Sequence, residues 1–163
     1  MNIKIREIVS SDRTWVDQII AGWGADFIVS RGRKLFPADL PGLIAETKSG
    51  ERIGLATYEI VGDQCELVTL DAMNKFAGVG TRLLDEVTKA ARQANCMRLW
   101  LITTNDNLDA IRFYQRRRMT IASIHINSLE QSRLLKRSIP LIGQHGIPLR
   151  DEIEFELLLS FDG

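Results

Sequence analysis

Apolar residues recur along this chain in two periods, and the switches between them mark out its elements. Ile3 and Ile5 alternate with Lys4 and Arg6, the two-residue period of a half-buried strand. Residues 13–23 change to helical spacing, with Trp15, Ile19 and Ile20 on the inner side and Ser11 or Asp12 placed to cap the start. Residues 22–42 carry glycine, proline and charge without a period and are read as irregular. Apolar runs over 43–46 and 53–61 flank Lys48-Ser49-Gly50-Glu51 and predict paired strands around a turn. Gly62-Asp63 turns the chain into a further strand over 66–72. Val79, Leu83, Val87, Ala90, Ala91 and Ala94 then share one side of a helix over 79–94, with Asp85 and Lys89 paired at i,i+4 on the wet side. A strand over 98–103 runs through Asn105-Asp106-Asn107 into a second helix carrying Leu108, Ile111 and Tyr114 at helical spacing, with Ala110 beside them. Asn107 is suited to cap that helix. Strands are expected over 119–126 and 153–159, separated by a long connection, 127–151, with a basic helical piece over 129–137. A plain hairpin needs only a few residues, so this excursion calls for a reason: a lid packed on the core, or part of a contact in a homodimer.

Composition narrows the class without naming a function. At 163 residues the chain fits one domain spanning 1–163, with no repeat, low-complexity tract or linker. Lysine plus arginine and aspartate plus glutamate both count 21, so net charge favours neither nucleic acid nor an acidic membrane as partner. No apolar run approaches the ~20 residues a membrane helix requires. The opening Met-Asn-Ile-Lys-Ile-Arg-Glu lacks the apolar core of a secretory signal, and a cytoplasmic location is expected. Cys65 and Cys96 are then expected as buried free thiols, although the sequence leaves a bond between them open. Two histidines far from any cysteine pair give no zinc pattern, and no metal is expected.

The densest chemistry lies in the loop Asn74-Lys75-Phe76-Ala77-Gly78-Val79-Gly80-Thr81, between an apolar strand and a strongly periodic helix. Such a loop aims backbone N–H groups and the positive end of a helix dipole at one point, which suits a phosphate. Gly78 and Gly80 let the backbone approach a ligand closely. A G-x-G alone is a weak signal. A dinucleotide oxidoreductase would need a third glycine where Leu83 stands, and a mostly apolar opening βαβ unit that is absent. Downstream, Asn107, Ala110 and Tyr114 form Asn-x-x-Ala-x-x-x-Tyr.

With Lys75-x-x-Gly78-x-Gly80 and that second pattern in order, the chain resembles the GNAT superfamily of N-acetyltransferases, in detail over about 66–125. Lysine stands where the family usually has arginine or glutamine. Arg118-Met119 replaces a usual Gly-Phe, and the missing glycine makes a left-handed helix end harder. The segment 134–157 also looks like a tail shared by a little-characterised bacterial subgroup.

The resemblance implies an α/β (α+β) fold: a mixed, mostly antiparallel sheet of about seven strands with helices on both faces. Its two parallel central strands, 66–72 and 98–103, would splay apart around acetyl-CoA, helped by a bulge or kink near Leu70-Asp71. It implies cofactor contacts from Leu70, Asp71, Ala72, Lys75, Phe76, Ala77, Gly78, Val79, Gly80, Thr81, Asn107, Ala110 and Tyr114, with the Leu70 N–H as oxyanion donor. Tyr114 would be the general acid, and Glu66, or else Asp71, the base; for Glu66 the competing reading is a solvated edge residue. The implied reaction moves acetyl directly to a primary amine in a ternary complex, since no Ser-His-Asp or Cys-His arrangement is visible. Trp23, Asp26, Arg31, Arg33, His145, Arg150, Asp151 and Glu152 are the candidates for the acceptor pocket, and the excursion could form its wall. The alternative is a non-catalytic acyl-CoA sensor, which would keep the loop but have no need of Tyr114.

Overall fold

The computed structural model describes residues 2–73 and 78–159. In chain order its elements are β1 (Ile3–Glu7), α1 (Arg13–Ala21), β2 (Ile28–Ser30), β3 (Arg33–Leu35), β4 (Gly42–Thr47), β5 (Arg52–Val61) and β6 (Gln64–Ala72). These are followed by α2 (Val79–Gln93), β7 (Arg98–Thr104), α3 (Leu108–Arg116), β8 (Thr120–His125), α4 (Ser128–Leu135) and β9 (Glu152–Leu158). Seven strands form one sheet in the order β1-β4-β5-β6-β7-β9-β8. Its neighbours are antiparallel except β6 and β7, which run parallel because α2 carries the chain across between them. Helices α2 and α3 bury the main core on one face, around Leu83, Val87, Leu99, Leu101 and Phe155. On the other face Val16 and Ile20 of α1 pack on Ile44 and Leu55. The mixed, mostly antiparallel sheet with helices on both faces is the one expected.

The parallel ladder is short. It pairs only Gln64 with Arg98, Cys65 with Leu99 and Glu66 with Trp100, although β6 continues to Ala72 and β7 to Thr104. Beyond Glu66 and Trp100 the two strands separate, as the splay required. The bulge lies elsewhere than expected. Leu70 and Asp71 pair in unbroken register with Ala56 and Leu55, and the shift falls where Thr57 faces Thr69 but Tyr58 faces Leu67, which makes Val68 the extra residue. The physical reason is one of faces. One added residue reverses the alternation, so Cys65 and Leu67 before it and Leu70 and Ala72 after it all pack beneath α2 and α3. Thr69 is turned to the other side, its hydroxyl 2.7 Å from that of Thr57.

Three local expectations are also revised. Asp12 stands at the start of α1 without capping it. Its buried carboxylate accepts instead from Arg6 at 2.8 and 3.0 Å, from Arg52 at 3.1 Å and from the Val9 N–H at 2.8 Å. The Arg6 guanidinium holds its pKa far below the usual carboxylate range. A lowered pKa means stability that is fully present above the unfolded value of 3.8 and lost progressively as pH falls below it toward the far lower folded value. Asp12→Asn should therefore lower unfolding free energy by about 2–3 kcal/mol at pH 7, a difference that begins to narrow in urea titrations below pH 3.8 and narrows further as pH falls. Residues 22–42 are not wholly irregular. β2 and β3 form a hairpin whose turn places Arg31 at φ 49° and Gly32 at φ 75°, strands too short to show a period. Arg118 does adopt the left-handed conformation, φ 69°, despite its side chain. The Met119 N–H to Tyr114 carbonyl bond (3.1 Å) and the Arg118 N–H to Gln115 carbonyl bond (3.1 Å) close the helix end that a glycine usually makes.

The connection between β8 and β9 is pinned down. Asn105 Oδ1 accepts from the N–H groups of Arg150 and Asp151, both at 3.0 Å, and its Nδ2 donates to the Pro148 carbonyl at 2.8 Å. Asp106 accepts from the Gln144 N–H at 2.8 Å, directly beneath Gly143, where a Cβ would fall 2.1 Å from its carboxylate. Asn107 caps α3 as expected, accepting from the Ala110 N–H at 3.1 Å. Each residue of Asn105-Asp106-Asn107 thus has a separate structural task. Cys65 and Cys96 are buried free thiols, and burial pushes the Cys65 thiol up to about 12.

Candidate active site

The separated ends of β6 and β7 place one cavity on each face of the sheet. On the α2–α3 face a cleft of about 350 Å³ is lined by Leu70, Ala72, Gly80, Ala110, Phe113 and Tyr114. Ala110, Phe113 and Tyr114 fall at i, i+3 and i+4 of α3, so one helical face forms a side of the cleft, with Asp109 beside it. Leu70 and Ala72 reach it through the reversal at Val68. The Tyr58 N–H donates to the Pro41 carbonyl and the Thr57 N–H to Thr69 Oγ1, so Thr69 faces β5 and, by alternation, the Leu70 N–H faces the opening toward β7.

The start of α2 borders the same cleft. Gly78 sits in the left-handed region at φ 85°, and its carbonyl receives the first helical bond, from the Arg82 N–H at 3.0 Å. The amides of Val79, Gly80 and Thr81 therefore begin the helix with no carbonyl of the helix to bind, at its positive end. Gly80 serves packing: a Cβ there would press within 3.3 Å of the Phe113 ring. Arg117 braces the corner, its guanidinium 3.7 Å from the Phe113 ring centre and its Nε donating to Thr81 Oγ1 at 2.6 Å. Tyr114 is 9% exposed, edge-on to Phe113 and tilted against Phe155. Burial raises its hydroxyl pKa, so it stays protonated near neutrality.

On the opposite face Glu66 lies where the parallel ladder ends. It is no solvated edge residue. It is 4% exposed and accepts a hydrogen bond from Ser30 Oγ at 2.7 Å, because the β2–β3 hairpin folds over it. Burial pushes its carboxyl up to about 7, against the Ser30 bond and the Arg33 charge. Asp71 is half-buried and likewise raised by burial, but does not line the cleft. A second cavity, of about 410 Å³, opens on this side among Trp23, Ile28, Ile102, Lys136, Leu149 and Glu152.

The sequence-derived site is thus brought together in part. Leu70, Ala72, Gly80, Ala110 and Tyr114 share the cleft. Val79 is wholly buried in the core, Thr81 is held by Arg117, and Asn107 borders the second cavity. Lys75, Phe76 and Ala77 lie outside the described residues. Of the acceptor candidates, Trp23 and Glu152 line the second cavity, and Arg31 reaches Glu152. Arg33 instead pairs with Glu59 and Arg150 with Asp151, while Asp26 and His145 are exposed. Phe113 was legible from its i+3 spacing to Ala110. Ser30 and Lys136 carry no local signal. Among the described residues no group of three His, Cys, Asp or Glu could hold a metal, and no helix is long and apolar enough to cross a membrane.

Comparison with known proteins agrees with this geometry. Residues 13–118 match the profile of the family described as "Acetyltransferase (GNAT) family". The uncharacterized protein YdhI of Bacillus subtilis (strain 168) is 44% identical over 140 residues, 85% of this chain and 86% of that protein. A GNAT family acetyltransferase from Elizabethkingia anophelis, solved with acetyl-CoA bound, superposes with a TM-score of 0.67 at 20% identity, covering 97% of this chain and 99% of that one. The ribosomal-protein-S18-alanine N-acetyltransferase of Escherichia coli gives 0.67 at 16% identity, covering 99% and 97%. At such identities the two structures speak for a common fold.

Proposed function

The chain belongs to the GNAT family of acetyltransferases, and from that premise we propose that it moves acetyl from acetyl-CoA directly to a primary amine, the two substrates meeting through the split sheet. The observation that carries this is the end of the parallel ladder at Glu66 and Trp100, with the Tyr114 cleft on one face and the Glu152 cavity on the other. The diphosphate of acetyl-CoA belongs at the amides of residues 78–81, where the helix dipole and close backbone favour an anion, with Lys75, Phe76 and Ala77 completing the loop. The thioester arm belongs along Leu70, Asp71 and Ala72, whose β7-facing edge is unpaired with that strand, and beside Ala110 and Tyr114.

The chemistry follows from three needs. A lysine-like amine with pKa near 10.4 is only about 0.04% neutral at pH 7, so a base must take its proton. Glu66, with a carboxyl near 7, is matched to that task, and Asp71 stands second. The amine nitrogen then attacks the thioester carbonyl carbon; the N–C bond forms, negative charge gathers on the oxygen and the Leu70 N–H receives it. As the C–S bond breaks, its electron pair stays on sulfur and the Tyr114 hydroxyl supplies the proton. The nitrogen loses its second proton as the intermediate collapses, and by way of solvent that proton restores the Tyr114 hydroxyl. The products are an amide and a free thiol, and the proton left on Glu66 returns to solvent.

Release of free thiol from acetyl-CoA, followed across a panel of amines, tests this. Intersecting initial-rate lines and an unmodified protein mass after acetyl-CoA alone are expected. Parallel lines with an acetylated protein would replace direct transfer by an acetyl-enzyme.

A further inference from the structure

The cavity on the Glu66 side has a composition that restricts what it can accept. Its wall is mixed: Trp23, Ile28, Val29, Ile139 and Leu149 give an apolar side, and Thr103, Thr104, Asn107 and Ser138 add neutral polar groups. Two charged groups interrupt it. Glu152 is 1% exposed and its carboxylate is already held, by the Arg31 N–H at 3.2 Å and the Arg31 guanidinium at 3.4 Å. It stands close enough to Glu66 for the two carboxylates to repel. Lys136, just past α4, is in a different situation. Among the described residues it forms no ion pair, and its ammonium has the face of Phe27 at 5.9 Å.

An ammonium half-buried in this wall loses hydration that no paired carboxylate makes good, and burial accordingly lowers its pKa. Among exposed lysines such a position would be unremarked. Here the group lines the same cavity as Glu152, opposite to it in sign, and Glu152 in turn neighbours the proposed base Glu66. A ligand complementary to this arrangement has an ammonium end for the carboxylate side, an apolar body, and an anionic end for Lys136. At about 410 Å³ the cavity is at the small end of ligand sites, suited to a compact metabolite.

We propose that the acceptor is a small amino carboxylate with an apolar body, such as a hydrophobic amino acid, and that Lys136 determines this specificity by receiving its carboxylate. This rests on the acetyl-transfer reading given above and adds the acceptor's chemical class. The reacting atoms are unchanged: the acceptor's amine becomes an amide, and its carboxylate stays intact on Lys136.

The test compares kcat/KM for phenylalanine and leucine with that for phenethylamine and 3-methylbutylamine, which keep the apolar body and lack the carboxylate. In the native protein the carboxylated member of each pair is expected to be preferred at least tenfold. In Lys136→Met the preference falls to near parity, chiefly through KM, and Lys136→Arg restores part of it. The acetyl-CoA Kd of each variant, by calorimetry, verifies that the fold and the other substrate's site are intact. Equal or better use of the amines without carboxylate, or a preference that Lys136→Met leaves in place, overturns the assignment while leaving N-acetyl transfer standing. Turnover of no amine by protein that binds acetyl-CoA overturns the acetyl-transfer reading itself, and the acceptor class with it.

Discussion

Tyr114→Phe is expected to lower kcat for acetyl transfer by about 10²-fold, with an acetyl-CoA Kd within about twofold of the native value. The substitution removes one oxygen. The ring keeps its edge contact with Phe113 and its contact with Phe155, so the cleft retains its shape and the thioester arm its place. What disappears is the hydroxyl proposed to meet the sulfur as the C–S bond breaks. Burial raises the pKa of that hydroxyl, which makes it a reluctant acid. Its benefit therefore comes mainly from a hydrogen bond that strengthens as charge develops on sulfur, and the low end of the general-acid range applies. Single-turnover measurement with a proven acceptor isolates this step from product release. Native single-turnover rates in Tyr114→Phe would remove the residue from the mechanism; a loss seen only as weaker acetyl-CoA binding would make it a packing residue.

Much of this site was legible in the sequence because its parts are local. The Asn107, Ala110 and Tyr114 spacing fixes a cap and one face of α3, and the structure places all three as that spacing implies. The amphipathic period of α2 likewise fixes which side is buried. The parts that were misread or left open depend on partners distant along the chain. The extra residue at Val68 exists only relative to β5, and nothing in the local sequence marks it. Glu66 is buried because Ser30, 36 residues away, is brought over it by a hairpin of two three-residue strands. Asp12 has the residue type and position of a helix cap, but two arginines from β1 and β5 compete successfully for its carboxylate. Polar side chains were thus placed correctly in the chain and given the wrong partner, which is what a reading confined to neighbours must do.

Glu66→Gln separates the demands of catalysis from those of stability, and opposite changes in the two are expected. As the base, Glu66 must be ionised, so kcat/KM in the native protein should rise with pH through about 7 and then level off with respect to this group. The glutamine variant should lose that limb and fall by about 10²-fold or more on the plateau. Stability runs the other way. The carboxyl is raised from 4.5 to about 7 on folding, mainly by burial, so its contribution is fully present below 4.5 and lost as pH rises through about 7. At pH 8 the folded protein holds a buried charge at a cost of up to about 3 kcal/mol, by the conversion of pKa shift to free energy. Glutamine keeps the shape and can still bond to Ser30 without that charge. Urea unfolding should accordingly find Glu66→Gln more stable than the native protein at pH 8, with the advantage shrinking toward pH 5. An intact acidic limb in the variant would move the base to Asp71 or to water. A stability gap that does not change with pH would mean that the carboxyl is ionised in the fold at little expense, and the tuning of Glu66 toward neutrality would have to be abandoned.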